Sequence, residues 1–228
     1  YCTRKVTDKI YWIGGDDRRI ALFENVYPVP GGVSYNAYFV SDEKTMVIDT
    51  VDHSVSKVFF ENIAHELDGR DLDYLVVNHT EPDHAGSVQR LLKLSPQLKI
   101  ISTACAAGFL KEIVNGEFCN LIVHDNETMK IGDKTLRFLL VPNLHWPDTM
   151  YTFIEEEQIL VTCDSFGAHY CLPEVVSSEI KNEADYQSAL KYYYDCSIGP
   201  FKPFMLKALD RVETMDISMI CTGHGPVL

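Results

Sequence analysis

Four short apolar runs in this chain each end on imidazole or carboxylate, and that repetition constrains the fold more than any other feature. Tyr74-Leu75-Val76-Val77 leads into Asn78-His79-Thr80-Glu81-Pro82-Asp83-His84, and residues 136–141 lead into Pro142-Asn143-Leu144-His145. Residues 159–163 end on Asp164, and 217–221 run into Thr222-Gly223-His224-Gly225. Runs of this length and β-branched content read as buried strands. Sheets in α/β proteins place ligand sites at the carboxyl ends of their strands. The four runs are therefore expected to bring His79, Glu81, Asp83, His84, His145, Asp164 and His224 to one rim. A single histidine after a strand is ordinarily a hydrogen-bonded structural residue; four such groups in series point to bound metal. Alternation in an extended segment would send His79, Glu81 and Asp83 the same way, and Pro82 keeps Glu81 out of helix. Gly86, Gly223 and Gly225 suit tight turns around a site.

The rest of the chain supplies layers for such a rim. Ile10-Tyr11-Trp12-Ile13, residues 35–40 and residues 45–49 are aromatic and β-branched strand runs, broken by Gly14-Gly15, the Pro28/Pro30/Gly31/Gly32 loop and Ser41-Asp42-Glu43. Helical spacing is predicted over 55–67, with Val55, Val58, Phe59, Ile63 and Leu67 on one face, and over 87–94, 104–114, 184–198 and 203–213. Further strands are read at 99–102, 121–123 and 150–154. Strands occur in βα alternation and in hairpin-like succession, so the expected class is α/β (α+β) with mixed sheets and helices outside. One domain over 1–228 is expected, without internal repeats.

Charge limits the partners. Twenty Lys+Arg against 33 Asp+Glu give a net charge of −13, unsuited to nucleic acid or an anionic membrane surface. No stretch has the length of a spanning helix and Tyr1-Cys2-Thr3-Arg4-Lys5 has no apolar core, so neither a membrane span nor a signal peptide is expected. The seven cysteines form no Cys-x-x-Cys pair. They are expected to be mostly small core residues in a reducing, cytoplasmic setting, with no thiolate metal site.

The order His79-x-Glu81-x-Asp83-His84, then His145, Asp164 and His224, resembles the metal signature of the metallo-β-lactamase superfamily. With Glu at its second position it is similar to the flavodiiron proteins, also called A-type flavoproteins. The resemblance runs from Ile10-Tyr11-Trp12-Ile13-Gly14 to Gly223-His224-Gly225-Pro226 and implies an αββα sandwich. It also implies two non-haem irons: His79, Glu81 and His145 on one, Asp83 and His224 on the other, Asp164 bridging. His84 would either coordinate or turn away. A tyrosine near the pocket is implied too, which Tyr193 or Tyr194 could supply as proton or hydrogen-bond donor. Trp146 could wall the pocket, His169 could lie just behind the ligands, and Asp49 could brace the loop from below. His53, His65 and His124 read as surface or structural.

Three carboxylates with imidazole suit iron or manganese, although Zn²⁺ could occupy the same donors. The implied activity is reduction of dioxygen to water or of nitric oxide to nitrous oxide. Electrons would come through FMN on a C-terminal flavodoxin-like domain that this chain lacks, in a head-to-tail homodimer served by a small redox donor such as rubredoxin or a flavin reductase. A zinc-dependent hydrolase of the same fold, or a non-catalytic diatomic-gas binder, would use the same residues differently.

Overall fold

A computed structural model describes residues 1–228. The first sheet has seven strands in sequence order: β1 (Arg4–Lys5), β2 (Ile10–Trp12), β3 (Tyr38–Ser41), β4 (Thr45–Ile48), β5 (Tyr74–Val76), β6 (Lys99–Ser102) and β7 (Cys119–Ile122). It is antiparallel up to β4 and parallel beyond it, with Val47 opposite Leu75 and Leu75 opposite Ile100. The second sheet has five: β8 (Thr128–Ile131), β9 (Lys134–Leu140), β10 (Met150–Ile154), β11 (Ile159–Cys163) and β12 (Met219–Thr222). Its pairs are antiparallel except β11/β12, so β9, β11 and β12 point the same way and end at one edge.

Side-chain alternation sorts the core into three layers. Phe39, Val47, Leu75 and Ile100 face α1 (Ser56–Leu67), α3 (Val88–Leu94) and α4 (Ala104–Ile113), packing on Phe59, Ile63, Leu91 and Leu110. Their strand neighbours Tyr38, Val40, Met46, Ile48, Val76 and Ile101 face the other sheet, against Leu136, Phe138, Met150, Ile154 and Val161. Leu139, Tyr151, Phe153 and Leu160 turn outward under α5 (Glu183–Tyr193) and α6 (Lys202–Val212). This is the expected αββα sandwich. No helix is long and apolar enough to cross a membrane.

Several expectations are corrected. The run 35–40 is not one strand: Val33–Tyr35 pairs with Gly15–Asp17 in a separate ribbon, and β3 starts at Tyr38. Asn36 breaks the run because it leaves the sheet to bind elsewhere: its amide accepts from Trp12 Nε1 (2.8 Å) and donates to the carbonyls of Thr222 (3.0 Å) and Gly225 (2.8 Å). The segment after Glu81 is not extended but forms a short helix, Pro82–Ala85, in which Pro82 holds the first position, where no N–H is needed. Helix 184–198 divides into α5 and a π turn, Tyr194–Ile198, ahead of Gly199-Pro200, since proline has no N–H to extend the ladder. Strand β8, which alternates exposed Thr128 and Lys130 with Met129 and Ile131, has no apolar run to betray it. Of the seven cysteines only Cys163, Cys171 and Cys221 are buried; Cys105 and Cys119 are exposed on α4 and the edge strand β7.

Candidate metal centre

Asn78 ties the sheets together where the four strands end. Its backbone N–H and side-chain amide donate to the two oxygens of buried Asp49, at 2.7 and 3.0 Å, which makes Asp49 the brace expected of it. Asn78 also accepts from Met150 N (2.9 Å) and Thr152 Oγ1 (2.7 Å) on β10. His79 and Glu81 follow directly. The short helix Pro82–Ala85, α2, then turns Asp83 and His84 inward from one helical turn.

The seven expected residues meet in two groups that share one carboxylate. In the first, His79 Nε2 lies 3.2 Å and His145 Nε2 2.9 Å from Glu81 Oε2, and both lie near Asp164 Oδ2, at 3.3 and 3.4 Å. In the second, His224 Nε2 is 3.1 Å and His84 Nε2 3.5 Å from Asp83 Oδ2, and both lie near Asp164 Oδ1, at 3.4 and 2.9 Å. Asp164 thus turns one oxygen to each group. His84 points inward with the rest.

Gly223 and Gly225 allow this approach. A Cβ on Gly223 would stand 2.8 Å from the Cys163 carbonyl carbon and 3.0 Å from His84 Cε1, and Gly225 has φ +78. His224 Nδ1 donates to the Ser34 carbonyl at 2.7 Å, which leaves Nε2 as the free donor atom in the neutral ring.

The donors fit cations. Both oxygens of Asp83 and Oδ2 of Asp164 are buried without a hydrogen-bond partner, a costly state for carboxylates unless a cation is held there. In the bare protein, protons take that place. Burial works against a charged His145, yet Asp164 and Glu81 outweigh it and raise the imidazole to about 10. His224 is likewise opposed by burial and raised to about 10 by Asp164 and Asp83. Burial would push Asp164 up, but His84, His145 and His224 hold it well below the usual carboxylate range. Counting Asp148, four buried carboxylates surround the site, a charge that two divalent cations would balance.

The wall of the site is mostly aromatic. Half-buried Trp146 meets His79 edge-on at 5.3 Å between centroids. Tyr193 is buried, with its ring 5.9 Å from that of His224, whereas Tyr194 is 38% exposed on the next turn. His169 packs on both His224 (5.4 Å) and Tyr193 (4.8 Å). Burial lowers its imidazole to about 3, so the ring is neutral. His53, His65 and His124 are exposed, as expected.

The sequence pattern does not single out two further residues. Asp148, close behind His145 in the chain, is fully buried behind His79. Glu24 sits at the tip of the hairpin Leu22–Phe23/Tyr27–Pro28 and overhangs a cavity of about 420 Å³ that Glu81 and Asp83 also line. Partial burial, with Glu81 and Asp83 beside it, raises its carboxyl to about 7.

A profile described as ODP family beta lactamase matches residues 33–225. The flavo-diiron protein FprA2 of Clostridium acetobutylicum is 38% identical over 226 residues, which cover 98% of this chain and 56% of that protein. The crystal structure of the flavodiiron protein from Giardia intestinalis superposes with a TM-score of 0.93 at 33% identity, covering 99% of this chain and 55% of that one. Rubredoxin oxygen:oxidoreductase from Desulfovibrio gigas gives a TM-score of 0.93 at 29% identity, over 99% and 57%. The chain therefore spans about half the length of the relatives it matches. On the profile match and on the fold, this chain belongs to the ODP family of β-lactamase-like domains and is similar to the corresponding half of the flavodiiron proteins.

Proposed function

We propose that this chain is the metal-binding part of a flavodiiron protein, which reduces dioxygen to water or nitric oxide to nitrous oxide. The observation that carries the reading is Asp164, with one oxygen in each of two adjoining donor groups. His79, Glu81 and His145 would hold one iron, Asp83 and His224 the other with His84 beside it, and Asp164 would bridge them. Two ferrous ions held there would supply one electron each, enough to couple two nitric oxide molecules to nitrous oxide, whereas dioxygen to water takes four electrons and so a refill. The chain's own residues do the rest. Glu81, Asp83 and Asp164 would offset the repulsion of two cations, and carboxylates mixed with imidazole suit iron, although Zn²⁺ could occupy the same donors. Trp146, Tyr193 and the neutral His169 ring add no charge to their side of the site, which suits an uncharged substrate. Tyr193 places its phenol on the His224 side, where it could donate a hydrogen bond or proton.

Electrons would be refilled by FMN on a flavodoxin-like domain, facing this site across a head-to-tail homodimer in the whole protein. A small donor such as rubredoxin would serve that flavin, as the name of the Desulfovibrio gigas relative suggests. The test is anaerobic loading of this chain with ferrous iron, followed by exposure to nitric oxide or dioxygen. Nitrous oxide from a single turnover, or consumption of dioxygen, supports the reading. An iron-loaded chain that consumes neither gas overturns it.

A further inference from the structure

Strand β11 reaches Asp164 through an irregularity. Val161 pairs with Cys221 and Cys163 with Thr222, so the register shifts between them, and Cys163 has φ +49. In a regular strand Cys163 and Asp164 would face opposite ways. A bulge relaxes that alternation and re-aims side chains. Here the donor atoms of His84, Cys163 and Asp164 all lie within 4.8 Å of one another, and all three residues are buried. His84 Nε2 and Asp164 Oδ1 stand 2.9 Å apart, in side chains that are 0% and 2% exposed.

We infer that His84, Cys163 and Asp164 form a second, thiol-containing donor set that takes a soft divalent cation such as Zn²⁺ or Cd²⁺. Imidazole, thiolate and carboxylate are a zinc-type combination, whereas the thiol-free imidazole–carboxylate set around it suits iron. With metal–sulfur and metal–nitrogen bonds of about 2.3 and 2.0 Å, a tetrahedral ion needs donors about 3.3–3.6 Å apart. From their widest permitted spacing the three would close by about 1.2–1.5 Å on binding. On binding, the S–H bond is replaced by a metal–sulfur bond, the proton passes to solvent, and nothing is oxidised or reduced. The inference rests on reading His84 and Asp164 as metal-facing groups. Because both also belong to the proposed iron pair, a soft ion held by Cys163 would compete with iron for the Asp83–His224 side. The centre's composition would then follow the relative supply of the two metals.

The test is Cd²⁺ titration of the metal-free chain carrying Cys105→Ser and Cys119→Ser, which removes the two exposed thiols. A sulfur-to-cadmium charge-transfer band in the ultraviolet is expected at stoichiometric Cd²⁺, and it should vanish in Cys163→Ser and in Cys163→Ala. Zn²⁺ affinity should fall by about tenfold or more in both variants while Fe²⁺ affinity stays within about twofold. A ¹¹³Cd resonance shifted downfield by sulfur is expected from the parent and needs no Cys163 variant. Absence of that shift, or a charge-transfer band that survives both substitutions, overturns the inference. Cadmium reduces neither gas, so this result stands or falls independently of the iron chemistry.

Discussion

Asp148 stands directly behind His79: its Oδ1 lies 3.4 Å from His79 Nδ1, while Oδ2 accepts from the backbone N–H and hydroxyl of Thr80 at 2.8 and 2.7 Å. The Asp148 carbonyl is held in turn by Thr103 Oγ1 (3.1 Å), the side chain that caps α4. A carboxylate behind a ligating histidine fixes the ring's tautomer and raises its donor strength. Asp148→Asn is therefore expected to weaken metal binding by about 10–100-fold. Competition against a chromophoric chelator measures this, and an unchanged affinity would remove Asp148 from the centre.

The two donor groups make different demands on stoichiometry. His145→Ala touches only the group at Asp164 Oδ2, and His224→Ala only the group at Oδ1. Each should retain about one ion per chain, whereas Asp164→Ala, which removes the shared carboxylate, should retain almost none. Metal analysis after equilibrium dialysis decides. Equal losses in all three variants would contradict a bridged pair.

Protons and metals compete for the same atoms, with opposite signs. In the metal-free fold His145 and His224 are raised to about 10, against about 6.5 unfolded. The stability they contribute is fully present below about pH 6.5 and is lost as pH rises towards 10. Asp164 is lowered, so its contribution is present above the unfolded carboxylate value of about 4 and lost as pH falls. The contribution of these three groups should thus be largest between about pH 4 and 6.5, while His169, lowered to about 3, works against stability as pH falls below about 6.5. Metal binds the deprotonated donors, so the rise in Tm on adding Zn²⁺ or Fe²⁺ should grow with pH. Thermal unfolding with and without metal at two pH values checks the sign; a gain that shrinks on raising the pH would refute it.

Asn36 couples the first sheet to the His224 loop through side-chain hydrogen bonds in the interior. Asn36→Ala leaves Trp12 Nε1 and the Gly225 carbonyl without partners, while the Thr222 carbonyl keeps the Tyr38 hydroxyl at 2.7 Å, at an expected cost of about 2–4 kcal/mol. Denaturant unfolding of the metal-free chain reads this directly. A loss below about 1 kcal/mol would show that the clasp is dispensable.

The seven clustered donor residues were legible because strand ends write them into the chain in order: an apolar run followed by His or Asp is visible without knowing which sheet the run joins. Both sheets contribute, β5 from the first and β9, β11 and β12 from the second, and the residue pattern does not distinguish them. The site's other features depend on tertiary placement. Asp148 matters only because Thr80 and His79 fold against it, and Glu24 reaches the pocket from a hairpin distant in sequence. The direction of Cys163 is set by a bulge that pairing with β12 creates, which hides a thiol from a reading that expects none at the centre. Pro82 was ambiguous for a local reason, since the residue that keeps Glu81 extended also serves as the first residue of α2.

The central claim is a pair of irons bridged by Asp164, and Mössbauer spectroscopy of the ⁵⁷Fe-loaded chain tests it most directly. The expected result is about two high-spin ferrous ions per chain, magnetically coupled when oxidised, and almost no bound iron in Asp164→Ala. A single uncoupled iron, or two irons whose spectra are unaffected by removing Asp164, would contradict it.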